Sequence, residues 1–273
     1  RGVVGGLIAL AGTLGVLLGV TIADLTDSIA SGYAVIAAVL VVLAIPYLLG
    51  SRALALPEGY RPEPFQLGSF LRSFWISPRK HPDFAWAWIT RFLVNLGNYI
   101  ALTYFLYYLT DGLGFSDDDA SGRLQTLTTI YGATIIVTAV VVGHWSDRVG
   151  KRKPFVIWSG IVVALASAIL AVSQNWPSAM VAAAVLGCGY GIYQAVDFAL
   201  ITQVLPGAEG RAKDLGVINI AAAFPQVAAP IVAAAIIILV RESGGSVVTR
   251  GESWSLGYGL VYAITGSIVA AAL

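Results

Sequence analysis

Charge is scarce in this chain. Only 11% of its 273 residues are Asp, Glu, Lys or Arg, against about 25% in an ordinary soluble domain. A soluble helical protein is thereby excluded, since its helices would need a charged face toward water. Cysteine is scarcer still. Cys188 stands alone inside an apolar run, which excludes an internal disulfide and a cysteine metal cluster. There is no H-E-x-x-H, no G-x-S-x-G and no phosphate-binding glycine loop, so the residue patterns of common hydrolases and nucleotide enzymes are missing. A net charge of +1 gives no reason to expect nucleic acid as a partner. Asp24-x-x-Asp27 and Asp117-Asp118-Asp119 raise the thought of a magnesium-dependent membrane enzyme. They flank loops, however, and lack paired D-x-x-x-D spacing on facing helices.

Apolar sequence is what the chain has in quantity. Hydrophobic residues make up 58% of it, and several runs exceed the roughly 20 residues that cross a bilayer as a helix. Hydropathy and breakers predict spans near 3–23, 29–50, 84–110, 124–143, 154–173, 178–204, 214–240 and 254–273. The fold class expected is therefore an all-α, multi-pass membrane protein. The third span opens on "HPDFAWAW" and closes on "YFLYYLTD", with aromatics at both ends as an interfacial belt requires. Of the 16 Lys and Arg, thirteen fall on one side of these spans, and only Arg123, Arg241 and Arg250 on the other. The richer side is expected in the cytoplasm.

The connection 51–83 differs from the other loops. It holds Pro57, Pro62, Pro64, Pro78 and Pro82 and no long apolar run, as suits a cytoplasmic linker between two helical bundles. Its stretch "FQLGSFLRSFWI" is either a short amphipathic surface helix or part of that linker. The segments beginning at Arg1 and Arg211 can be laid on one another, pairing Gly6 with Gly216. They lie six spans apart and run in the same direction, the arrangement of parallel repeats in secondary transporters. With Arg at position 1 and an apolar span beginning at once, the chain is expected to be part of a longer protein.

Charge gathers at one place, "GHWSDRVGKRKPF" from Gly143 to Phe155. Gly143 and Gly150 would permit a tight reversal, and Pro154 suits the first turn of the next helix. Asp147 could accept hydrogen bonds from the N-terminus of a neighbouring helix. Lys151, Arg152 and Lys153 supply partners and fix topology. The pattern Gly143-x-x-x-Asp147-Arg148-x-Gly150-Lys151-Arg152 resembles the signature loop of the major facilitator superfamily, placed between two spans as in that family. The resemblance implies a partial major facilitator fold carrying helices 5 to 12: residues 1–50 as the last two helices of the N-terminal bundle, 51–83 as the linker, and 84–273 as the six-helix C-terminal bundle. It implies a monomeric carrier in the cell membrane, its linker and signature loop cytoplasmic, that moves a small-molecule substrate by alternating access without a cofactor. "GYGIYQAVDFALITQVLP" and "GRAKDLGVIN" are similar to the sugar:cation symporter side of the superfamily, the glycoside-pentoside-hexuronide group. That similarity implies a sugar-like solute coupled to H+ or Na+; the alternative is drug or metabolite efflux by proton antiport. Within this frame Asp147 and Arg148 are expected to belong to a cytoplasmic latch between bundles.

Asp197 is the only carboxylate well inside a span, at a cost of roughly 2.5–3.5 kcal/mol on insertion scales. It is expected to pair with a cation of the signature loop; coupling to a proton or cation is the alternative. Arg91, Asn95, Asn98 and Tyr99 recur at spacings of three and four and so share a helix face. Tyr190, Tyr193 and Gln194 mark the sixth span, Asn219 and Gln226 the seventh. Asn98, Tyr99, Tyr190 and Gln194 are the preferred cavity residues, with interhelical hydrogen bonding as the competing role. Gly15-x-x-x-Gly19 and Gly187-x-x-x-Gly191 would let neighbouring helices approach closely, and Pro225 and Pro230 would kink the seventh span.

Overall fold

The computed structural model describes residues 2–26, 28–50, 66–68, 74–172, 175–204 and 211–242. The expected span 254–273 and most of the 51–83 connection, with its amphipathic stretch, lie outside the described residues. Seven long helices account for the rest: α1 (Gly2–Leu25), α2 (Ile29–Gly50), α3 (Pro82–Thr103), α4 (Asp117–Val149), α5 (Lys153–Val172), α6 (Trp176–Val204) and α7 (Arg211–Glu242). A short turn, Phe105–Tyr107, and a π-helical segment, Tyr108–Gly112, follow α3. Six of the described helical stretches are long and apolar enough to cross a membrane.

The chain divides into two compact units, Gly12–Trp75 and Ile76–Leu273, the latter with Arg1–Ala11. In the smaller unit α2 is apolar all round and exposes Leu40, Val41, Val42, Leu43, Leu48 and Leu49, the character of a helix meant for an apolar surround. A Cβ added at Gly15 or Gly19 would meet nothing within 4 Å, so this glycine pair makes no close helix approach among the described residues.

The larger unit is built around α6, which packs against α4, α5 and α3; α7 packs against α3. Glycine explains why α6 can take that central place. A Cβ at Gly187 would lie 2.4 Å from the Tyr131 carbonyl oxygen, and one at Gly191 would lie 2.9 Å from that of Ile135. Both glycines therefore seat α6 on the backbone of α4. Gly189 does the same toward α5, where a Cβ would come within 2.9 Å of the Val163 nitrogen. Small residues at helix contacts are the expected solution in a membrane, where van der Waals packing has to replace the hydrophobic effect.

The expected span 124–143 is the middle of a longer helix. At one end Ser116 caps α4, its Oγ accepting the Asp119 N–H at 3.3 Å. Asp117, Asp118 and Asp119 occupy the first turn, where the helix dipole favours negative charge. These three carboxylates thus have a structural explanation, and no group of three or more potential metal ligands occurs among the described residues. At the other end the helix runs straight through Gly143 to Val149. Gly143 is a buried helical residue rather than a turn, because the backbone does not reverse until Gly150. There φ is +70° and the Gly150 N–H closes on the Ser146 carbonyl at 2.9 Å, a left-handed helix ending that glycine adopts without steric cost. Pro154 lies in the first turn of α5. α7 continues as a helix through Pro225 and Pro230.

Candidate functional site

The charged turn between α4 and α5 is compact. Asp147 sits in the last turn of α4 and Arg152 immediately before α5, so each opposes the dipole of its own helix end. They offset this by pairing: Arg152 Nη2 donates to Asp147 Oδ1 at 2.8 Å. Arg148 and Lys151 are exposed, and Arg148 complements the C-terminal dipole of α4.

A cavity of about 360 Å³ lies elsewhere in the unit, between α3, α6 and α7. From α3 it is lined by Arg91, Asn95 and Tyr99, which recur every four residues and so stack along one face. From α6 come Tyr190, Tyr193, Gln194 and Asp197, and from α7 come Asn219, Ala222, Ala223 and Gln226. At its centre is a long-range ion pair, in which Arg91 Nη1 donates to Asp197 Oδ2. The two side chains are 14% and 15% exposed. The Tyr193 hydroxyl donates to the other carboxylate oxygen, Oδ1, at 2.7 Å. The Tyr190 hydroxyl donates to Asn95 Oδ1 at 2.8 Å, while Asn95 Nδ2 is held by the Arg91 carbonyl at 2.7 Å. Across the cavity Gln226 Nε2 donates to the Tyr99 hydroxyl at 3.1 Å, joining α7 to α3. That junction is reinforced by Trp88, whose Nε1 donates to the Val217 carbonyl at 3.0 Å, and by Phe92 stacked between Trp88 and Phe224.

Asp197 therefore does not pair with a loop cation. Arg91, on the facing helix, reaches it first, and an anion at this depth needs its partner within direct contact. Tyr99, Tyr190 and Gln194 share the cavity with Asp197, but Asn98 does not. Three residues along from Asn95, it lies off the cavity face and is buried against α4, where its amide and the Tyr131 hydroxyl bond in both directions at 3.0 and 3.2 Å. Arg91, Asn95, Tyr193, Asn219 and Gln226 carried a signal as polar residues inside apolar spans. Ala222 and Ala223 carried none, since a small residue reads the same on a cavity wall as in a packed core.

Comparison with known proteins decides the family. Residues 118–273, more than half of the chain, match the profile of the Major Facilitator Superfamily. The chain belongs to this superfamily. Its members are transporters rather than enzymes, and with six membrane-length helices among the described residues the chain is a multi-pass membrane protein of that fold. It is 34% identical over 110 residues to the multidrug resistance protein MdtL of Shewanella sp. (strain ANA-3), a stretch that covers 40% of this chain and 27% of that protein. It is 31% identical over 113 residues to the protein of the same name from Shewanella oneidensis, covering 41% of this chain and 28% of the relative. The matched stretch thus spans about a quarter of the length of these curated relatives.

Proposed function

We propose that the protein is a secondary active transporter of a small solute, working by alternating access, and that the cavity between α3, α6 and α7 forms part of its solute site. The observation that carries this reading is the part-buried Arg91–Asp197 pair in a wall otherwise made of amides, phenols and two alanines. A charged pair at membrane depth is costly and marks a solute or ion pathway by default, while amide and phenol groups on facing helices can follow the hydroxyls and edges of a polar molecule. Proteoliposomes containing the protein should take up or release a polar solute against its gradient when a proton or sodium gradient is imposed. Fluxes equal to those of protein-free vesicles would sink the proposal.

Sugar symport and efflux remain two versions of it. The polar cavity favours a hydrophilic cargo such as a sugar. The name of the two Shewanella relatives favours export of drug-like compounds. Competition between a neutral sugar and a lipophilic dye in the same vesicles separates them, since only a cargo of the site will slow the other.

The Asp147–Arg152 turn is assigned to the cytoplasmic side, as part of a latch that holds the outward-facing state. Shifting a two-state equilibrium from 1:99 to 99:1 takes only about 5.5 kcal/mol, which a few charge-assisted hydrogen bonds can supply. Asp147→Asn should raise labelling of cysteines introduced on the cytoplasmic face of the cavity, and unchanged labelling would remove the latch.

A further inference from the structure

The cavity wall holds one cation and one anion, bonded to each other, yet the two are unequally satisfied. Asp197 has both oxygens engaged, Oδ2 by Arg91 and Oδ1 by the Tyr193 hydroxyl. Arg91 is not matched in the same way. Its guanidinium carries five N–H donors in a fixed plane; Asp197 takes Nη1, and Nε is buried with no partner. A buried donor without an acceptor is destabilising, and apolar residues can often replace a buried ion pair at no loss of stability. Neither fact explains a pair placed in a cavity wall as scaffolding. Both fit a guanidinium that has a second acceptor to receive.

We infer that Arg91 is the recognition group for an anionic solute bearing a carboxylate, and that Asp197 occupies Arg91 when the solute is away. This rests on the carrier reading and names its substrate class. An arriving carboxylate meets the guanidinium from the cavity that Arg91 lines, in the planar, two-point manner that arginine favours, and competes with Asp197 for it. Tyr193, four residues before Asp197 on α6, keeps hold of the displaced carboxylate. Gln194 and Asn219 bring amides to the same cavity for the rest of the solute. Two carboxylates sharing one guanidinium leave excess negative charge in a poorly hydrated site, which weakens binding and lets the solute go. Tight capture by an unopposed arginine would not serve a carrier.

The experiment uses the purified full-length protein and matched probes: benzoate, lactate and gluconate against benzamide, lactamide and gluconamide. A ligand that binds only the folded protein raises its melting temperature in a concentration-dependent way. At least one carboxylate should do so where its amide does not. The Arg91→Gln/Asp197→Asn double variant, which keeps the site neutral, should lose that preference while remaining monodisperse. Asp197→Asn alone removes the competitor and should tighten the favoured carboxylate about tenfold, whereas a merely structural pair would lower the melting temperature and leave affinity unchanged. Should Asp197→Asn fail to fold, the double variant still decides. Equal effects of acids and amides, no effect of any acid, or a preference retained in the double variant would overturn the inference. Flux of the neutral amides, or of a neutral sugar or dye, without the acids would do so too and leave the carrier reading standing; fluxes of all these solutes equal to those of protein-free vesicles would defeat that reading itself.

Discussion

Two arginine–aspartate pairs occur among the described residues, and they differ in almost everything except their chemistry. Arg152 and Asp147 are five residues apart and meet across a single turn. Arg91 and Asp197 are 106 residues apart and meet only because α3 and α6 pack. In both, the arginine Nε is buried without a partner, and Arg91 in addition lines the cavity between α3, α6 and α7. The first pair lies at the turn between two helices, with Arg152 8% and Asp147 26% exposed. The second joins two helices long and apolar enough to cross a membrane, its side chains 14% and 15% exposed. Identical groups thus give a local clamp in one place and a long-range, high-stakes contact in the other. The depth of the site and the sequence distance make that difference.

Removing the cation from each pair is the sharpest way to break the comparison. Arg91→Ala strands Asp197 in a low-dielectric site and should cost about 3–5 kcal/mol, read as a large fall in melting temperature in detergent and as loss of flux. Next comes Gly187→Ala, which forces α6 away from the Tyr131 carbonyl and with it displaces Asp197; overpacking of this kind costs about 1–3 kcal/mol. Gly150→Ala tests the other pair through its turn. A Cβ there has open space, but the left-handed backbone alone should cost about 1–2 kcal/mol. Smallest is Arg152→Ala, expected at about 1 kcal/mol, because Asp147, 26% exposed, regains water when its partner is removed. Its effect should shrink further in high salt, which screens a boundary pair but not an enclosed one. An Arg152→Ala loss equal to that of Arg91→Ala would erase the distinction.

The same contrast explains what the sequence could disclose. Uniform apolar runs locate helices because the bilayer imposes a length and an inventory, so all the expected spans within the described residues are helical. The Gly150 turn is legible because it is local: glycine before a basic stretch and Pro154 marks a stop and a start. Asp197 is conspicuous because a carboxylate among apolar residues is expensive. Its partner is not. No periodicity links residue 91 to residue 197, and the nearest visible cations were those of the loop, which led to the wrong pairing. Helical spacing placed Arg91, Asn95 and Tyr99 on one face correctly but could not say where that face ends, and Asn98 fell on the far side of the boundary. Gly143 shows a complementary limit. Glycine signals a turn and a close contact in the same letter, and here the helix runs on for six residues beyond it.

The separation of 106 residues between Arg91 and Asp197 also bears on biosynthesis. Chains enter the membrane from the N-terminal end, so α3, α4 and α5 precede α6 in time as well as in sequence. When α6 arrives, the cation for its carboxylate and the backbones that receive Gly187, Gly189 and Gly191 have already been made. The carboxylate is thus the last member of the pair to be synthesised, and it meets a counter-charge that is already in place.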